Sequence, residues 1–124
     1  MSIKEKNLKI LEEFENLEGE IIVQVNDEIA DKISIEKNKD YLSIDIIGVS
    51  YLITKCFEQN KKIDIKLIKK VKNGLKVIEF KKVSIESVYE DEHCYTEYNH
   101  IYLYIEIDKK EFKVFNFEAA IKEE

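Results

Sequence analysis

From Glu20 onward apolar residues recur at every second position, and that period of two commits most of the chain to β-strands. Ile21, Val23 and Val25 alternate with Ile22, Gln24 and Asn26; Ile33 and Ile35 form a second short run; Leu42, Ile44 and Ile46 alternate with Tyr41, Ser43 and Asp45. Ile63, Ile65 and Leu67 repeat the pattern. The strongest case comes late, where Ile101, Leu103, Ile105 and Ile107 take one face and Tyr102, Tyr104 and Glu106 the other. Isoleucine leads the apolar residues with 20 copies, and such stiff, branched side chains suit a pleated surface.

The first residues obey a different period. Ser2 and Glu5 have capping-box spacing, and Ile3, Ile10, Phe14 and Leu17 fall on one stripe with Leu11 on its flank. A helix from Ile3 to Glu18, closed by Gly19, follows. Asn38-Lys39-Asp40 reads as a hairpin turn. Asn73-Gly74 reads as a type I′ turn, so residues 62 to 71 and 75 to 83 should pair antiparallel. Asp108-Lys109-Lys110 turns the last long strand into Phe112 to Phe117, and residues 118 to 124 form a short helical or frayed tail. Two segments satisfy more than one pattern: Asn26 to Asp31 fits a loop or one helical turn, and Val49 to Phe57 fits both periods, with its β-branched residues tilting it to strand. The architecture expected is α+β and mainly β. One N-terminal helix precedes an antiparallel meander of seven or eight strands, in a curled sheet or small barrel, with residues 1–124 as a single domain.

Charge narrows the partners. The chain carries a net charge of −6, and all 20 of its basic residues are lysine. Without guanidinium forks it lacks bidentate recognition of phosphate or guanine, and its net charge repels a polyanion, so nucleic acid is not expected despite a local patch at Lys69, Lys70, Lys72 and Lys76. An acidic surface favours a basic protein partner or simple solubility. No segment has the apolar length of a signal peptide or bilayer span, so the expected location is the cytoplasm, away from membranes, with Cys56 and Cys94 as reduced thiols.

Residues 89 to 104 concentrate the chemistry: both histidines, one of the two cysteines and five of the seven tyrosines. Within them Tyr89, Glu90, Asp91, Glu92, His93, Tyr95, Glu97 and Tyr98 form the candidate partner-binding set, with the polar run 90 to 99 expected to connect two strands. Tyrosine brings large rigid contact area with a polar tip. Tyr102 and Tyr104, by contrast, read as ordinary sheet packing.

Catalytic and cofactor readings are weaker. His93, Cys94 and His100 have metal-ligand chemistry, but neighbours 93 and 94 project to opposite sides of an extended chain and no second ligand pair completes a tetrahedron. Cys94 lies among carboxylates that oppose a thiolate, and Cys56 belongs to an apolar stretch that suits an inert thiol. Glu90-Asp91-Glu92 reads as a solvated run. Gly19, Gly48 and Gly74 each stand alone, so there is no phosphate loop. No enzyme activity, metal or cofactor is therefore expected.

The leading reading is a small acidic, non-enzymatic binding protein that docks a basic site on another protein. Immunity proteins and phage or mobile-element inhibitors share this size and charge, an analogy of type without a residue motif behind it. The alternatives are a β-barrel that sequesters a small molecule and a small metal-dependent enzyme centred on His93 and His100. The apolar strand Ile101 to Ile107, if it lay at an edge, is the expected route to a homodimer.

Overall fold

A computed structural model of the chain describes residues 1–38, 40–50, 53, 59–91 and 98–118. Among the described residues the elements are the helix α1 (Ile3–Glu15) and the strands β1 (Ile22–Val25), β2 (Glu28–Ile29), β3 (Lys32–Lys37), β4 (Tyr41–Ile47), β5 (Ile63–Val71), β6 (Gly74–Val83), β7 (Ser87–Asp91), β8 (Tyr98–Glu106) and β9 (Lys113–Glu118). They form a five-stranded sheet ordered β2-β1-β5-β6-β9 and a four-stranded sheet ordered β3-β4-β8-β7, antiparallel throughout. The mainly-β α+β architecture with an N-terminal helix is thus the one expected. Of the two outcomes for its sheet, the open one is realised, because each sheet keeps two edge strands.

Alternation places the core. Ile63, Ile65 and Leu67 of β5 and Leu42, Ile44 and Ile46 of β4 are buried, as are Ile101 and Leu103 of β8. These inner faces of both sheets, with Leu11 and Phe14 of α1, make one apolar cluster. Burying a side chain of this kind is worth about 1.5–3 kcal/mol, so the shared cluster dominates what holds the two sheets together.

The helix meets the core differently from expectation. Ser2 caps it, its Oγ accepting from the Glu5 N–H at 3.1 Å, but the helix ends at Glu15 and the buried positions are Asn7, Leu11 and Phe14. Ile3 is 40% exposed, so the stripe is rotated toward a polar residue that hydropathy passes over. Asn7 is fully buried and fully used: its Nδ2 donates to the carbonyls of Ile107 (2.7 Å) and Lys110 (2.8 Å), and its Oδ1 accepts from the Phe112 N–H (2.8 Å). At the other end the Lys69 ammonium donates to the carbonyls of Glu15 and Leu17 at 3.2 and 2.8 Å. Buried at 4% exposure, Lys69 serves as a C-terminal cap over the Phe14 ring and takes no part in the surface patch expected of it.

Several turns follow the sequence and some do not. Asn38 closes β3 to β4, its Oδ1 accepting from the N–H groups of Asp40 and Tyr41 at 2.9 and 2.8 Å. β5 and β6 pair as expected, but Val71 faces Gly74, so the turn residues are Lys72 and Asn73, neither with positive φ. Asn26 to Asp31 is neither loop nor helix: Asn26 at φ 51° turns the chain into the short strand β2. Of residues 49 to 57 only Val49, Ser50 and Ile53 are described, and none lies in a strand; Ile53 is helical, its N–H donating to the Ser50 carbonyl at 3.1 Å. Val49 and Ile53 are both buried, the spacing of one helical face.

The chain changes sheets abruptly. The Ala30 N–H bonds to Val23 of one sheet and the next amide, Asp31, to Ile47 of the other. It crosses again between β4 and β5, between β6 and β7 and between β8 and β9, and β9 pairs with β6 and not with its predecessor. β8 itself lies between β4 and β7, so the strand proposed for edge pairing with a symmetry mate is interior and already paired on both sides.

Candidate functional site

The predicted binding segment opens out as the β7–β8 hairpin. Tyr89, Glu90 and Asp91 lie in β7 and Tyr98 begins β8, with Tyr89 opposite His100, Glu90 opposite Asn99 and Asp91 opposite Tyr98. The polar run therefore begins and ends as strand, because ladder pairing with the apolar arm of β8 outweighs its poor β-propensity. Glu92, His93, Cys94, Tyr95 and Glu97 lie outside the described residues, as does Cys56.

What the register assembles is a face. Tyr41, Ser43 and Asp45 of β4 stand opposite Glu106, Tyr104 and Tyr102 of β8, and Ile47 opposite His100, all on the side turned away from the core. Lys32, Ser34 and Glu36 of β3 continue the same face through Ile47, Asp45 and Ser43. Three phenol rings form its centre: Tyr102 and Tyr104 meet edge to face at 5.1 Å between centroids, and Tyr104 and Tyr41 at 5.9 Å. Tyr41 and Tyr104 are 43% and 42% exposed. Tyr104 thus packs against the neighbouring strand through Tyr41, yet it stays exposed because neither the helix nor the other sheet covers this side.

Charges ring the phenols: Glu36, Asp45, Glu106 and Lys32 on the face, exposed Glu86 at its margin, and Lys82, Lys109 and Lys110 along the groove at its Tyr41 end. The Tyr104 phenol is held above its ordinary value of 10.0, first by the hydrogen bond with the Tyr102 hydroxyl, then by desolvation and by the charges of Tyr102 and Glu86. At the β7 side His100 Nδ1 lies 3.2 Å from Asp45 Oδ1. A carboxylate only accepts, so in this contact Nδ1 donates. His100 is thus drawn to a carboxylate on the neighbouring strand. Among the described residues no three histidine, cysteine, aspartate or glutamate groups gather as metal ligands.

The face runs at its Tyr41 end into a broad groove bounded by Lys82, Glu86, Tyr104 and Glu106. Beyond the shared residues Val83 and Ile105, a cleft of about 180 Å³ opens at Phe80 and Phe112, whose rings meet edge to face at 4.9 Å. Glu79 lines it, 8% exposed, with Lys66, Lys81 and Lys113 at 3.8, 3.8 and 3.3 Å. Its Oε1 makes no hydrogen bond of good geometry, so the lysines hold it by charge rather than by direction.

Sequence reading missed Tyr41, Asp45, Tyr104 and Glu106 as site residues. Their signal was the alternation itself, which turns them away from Leu42, Ile44, Leu103 and Ile105; only the β4–β8 pairing brings the two rows together. Comparison with known protein families, with curated sequences and with solved structures finds no match. No helix among the described residues is long and apolar enough to cross a membrane.

Proposed function

We propose that the chain is a non-enzymatic binding protein whose outer four-stranded face docks a basic site on a protein partner, in the manner of immunity proteins or phage and mobile-element inhibitors. The single observation that carries this reading is the phenol row of exposed Tyr41 and Tyr104 with half-buried Tyr102, set among Glu36, Asp45, Glu86 and Glu106. Tyrosine rings already locked against one another lose little entropy on binding, and carboxylates around them steer a cationic surface. The β7–β8 hairpin, with Tyr89, Glu90, Asp91 and Tyr98 in its arms, extends the same sheet.

Affinity capture tests it, comparing wild type with a Tyr41→Ala, Tyr104→Ala double variant. Removing two central aromatic anchors should weaken a specific partner at least about tenfold, while circular dichroism stays unchanged. Equal recovery of every partner by both proteins would defeat the assignment of this face.

A further inference from the structure

The opposite side of the molecule carries a second surface of contrary character. On the outer face of the five-stranded sheet, Ile22, Ile68, Val77 and Phe115 align across four strands, with Leu75 opposite Phe117 beside them. Val77 is 1% exposed yet lies outside the core cluster, so its neighbours on this face bury it. Phe115 and Phe117 meet edge to face at 5.0 Å, and Phe117 remains 52% exposed. The two carboxylates on this side are engaged: Glu79 by three lysines, and Asp64 by the Lys82 N–H at 3.0 Å. Lys66, Lys81 and Lys113 thus exceed their one counter-ion, and Lys70 and Lys72 form no ion pair among the described residues.

The strand positions of the two outer faces therefore differ in charge, carboxylates standing beside the tyrosines on one sheet and lysines beside the phenylalanines on the other, with Lys82, Lys109 and Lys110 confined to the groove at the Tyr41 end. Like faces repel: lysine face on lysine face, or carboxylate face on carboxylate face, brings equal charges together. Unlike faces neutralise each other while both bury aromatic rings. We infer that the lysine-ringed face of one copy docks the tyrosine face of a second copy, in a head-to-tail contact. This deepens the proposed function, on which it rests: the chain is itself one of the basic partners that its tyrosine face accepts.

Geometry sets the strength. About four full strands spaced ~4.8 Å apart and ~20 Å long give a face of roughly 400 Å², short of the ~800 Å² per partner of a standard interface. The contact is consequently weak and concentration-dependent, and because its two halves differ it propagates to short chains or a ring.

Sedimentation velocity on the whole chain from ~10 μM to ~1 mM tests this. Mass should rise with concentration at low salt and fall by about half a molar of NaCl, as screening removes the charge term. A Lys70→Glu, Lys72→Glu variant and a Glu36→Lys, Glu106→Lys variant should each associate at least about tenfold more weakly than wild type, since each places like charges in contact. An equimolar mixture of the two should associate again, because each altered face then meets a complementary one. Wild type that stays monomeric throughout, or association unmoved by both variants, would overturn the inference. So would monomeric wild type that sediments with phosphatidylglycerol vesicles, which would give the lysine face to lipid. The lysine variant keeps the tyrosine face intact, so its capture of other partners reports on the proposed function separately.

Discussion

Two residues at the same kind of backbone position make opposite predictions. Gly48 sits at φ 88°, and a Cβ there would overlap the Asp31 side chain just where the chain enters the four-stranded sheet. Gly48→Ala should lower the unfolding free energy measured in urea by about 2 kcal/mol or more once the overlap adds to the ~1 kcal/mol of a left-handed L-residue. Lys82 takes φ 55° at the β5–β6 irregularity, where Asp64 opposes it and holds its N–H. Glycine there would relieve ~1–2 kcal/mol of conformational strain against ~0.5–1 kcal/mol of added unfolded-chain entropy, so Lys82→Gly should be neutral to slightly stabilising in the same assay. Tyr104 gives the site a spectroscopic handle. Its phenol ionises above the ordinary value of 10.0, so the folded state disfavours phenolate; the associated stabilisation is complete at neutral pH and is lost as pH rises past that value through the folded pKa. Tyr102→Phe removes the largest cause, and ultraviolet titration should show the Tyr104 transition moving down in pH; an unmoved transition would separate the two phenols.

At the scale of elements, α1 is held to the sheets by the packing of Leu11 and Phe14, by Lys69 at its end and by one buried amide side chain. Asn7 satisfies two carbonyls and one amide of the segment that carries the chain from β8 to β9. Asn7→Ala leaves those buried groups unpaired and opens a small void, and at ~1–3 kcal/mol for an orphaned group the loss should reach about 3 kcal/mol in denaturant unfolding. A substantially smaller loss would mean that water replaces the amide. This residue also marks where the sequence stopped being legible. Period two identifies which residues share a face, so the strands around Leu42 to Ile46 and Ile101 to Ile107 and the β5–β6 hairpin could be read directly. It is silent on which strand lies beside which, so β9 beside β6 and β8 in the interior required the fold. Tyr102 and Tyr104 illustrate the consequence. Their face was evident from Leu103 and Ile105, but whether it was covered depended on sheet pairing, and Tyr41 joined them only through β4. Lys69, a charged residue in an apolar alternation, was readable as a surface lysine until a helix end stood within its reach.

Across the whole molecule, long-range pairing governs how the fold is reached. Val23 pairs with Leu67, Ile44 with Leu103 and Val77 with Phe115, so the centre of each sheet joins segments far apart in the chain. Loop closure must be paid before such contacts form, which places refolding in the range of milliseconds to seconds rather than microseconds. The usual source of a slower phase is missing, because the chain contains no proline. Stopped-flow refolding from urea should therefore show no phase of tens of seconds, and adding a prolyl isomerase should change nothing. Interrupting denaturation after seconds or after an hour should give the same trace, since no isomer population builds up in the unfolded chain. Any slow phase that does emerge should scale with protein concentration, because the two contrary faces leave association as the remaining slow process. A slow phase independent of concentration would instead locate the barrier inside the monomer, at one of its four changes of sheet. Asn7→Ala singles out the last of these, between β8 and β9: it should slow folding only if that crossing, which Asn7 fastens, is formed in the transition state.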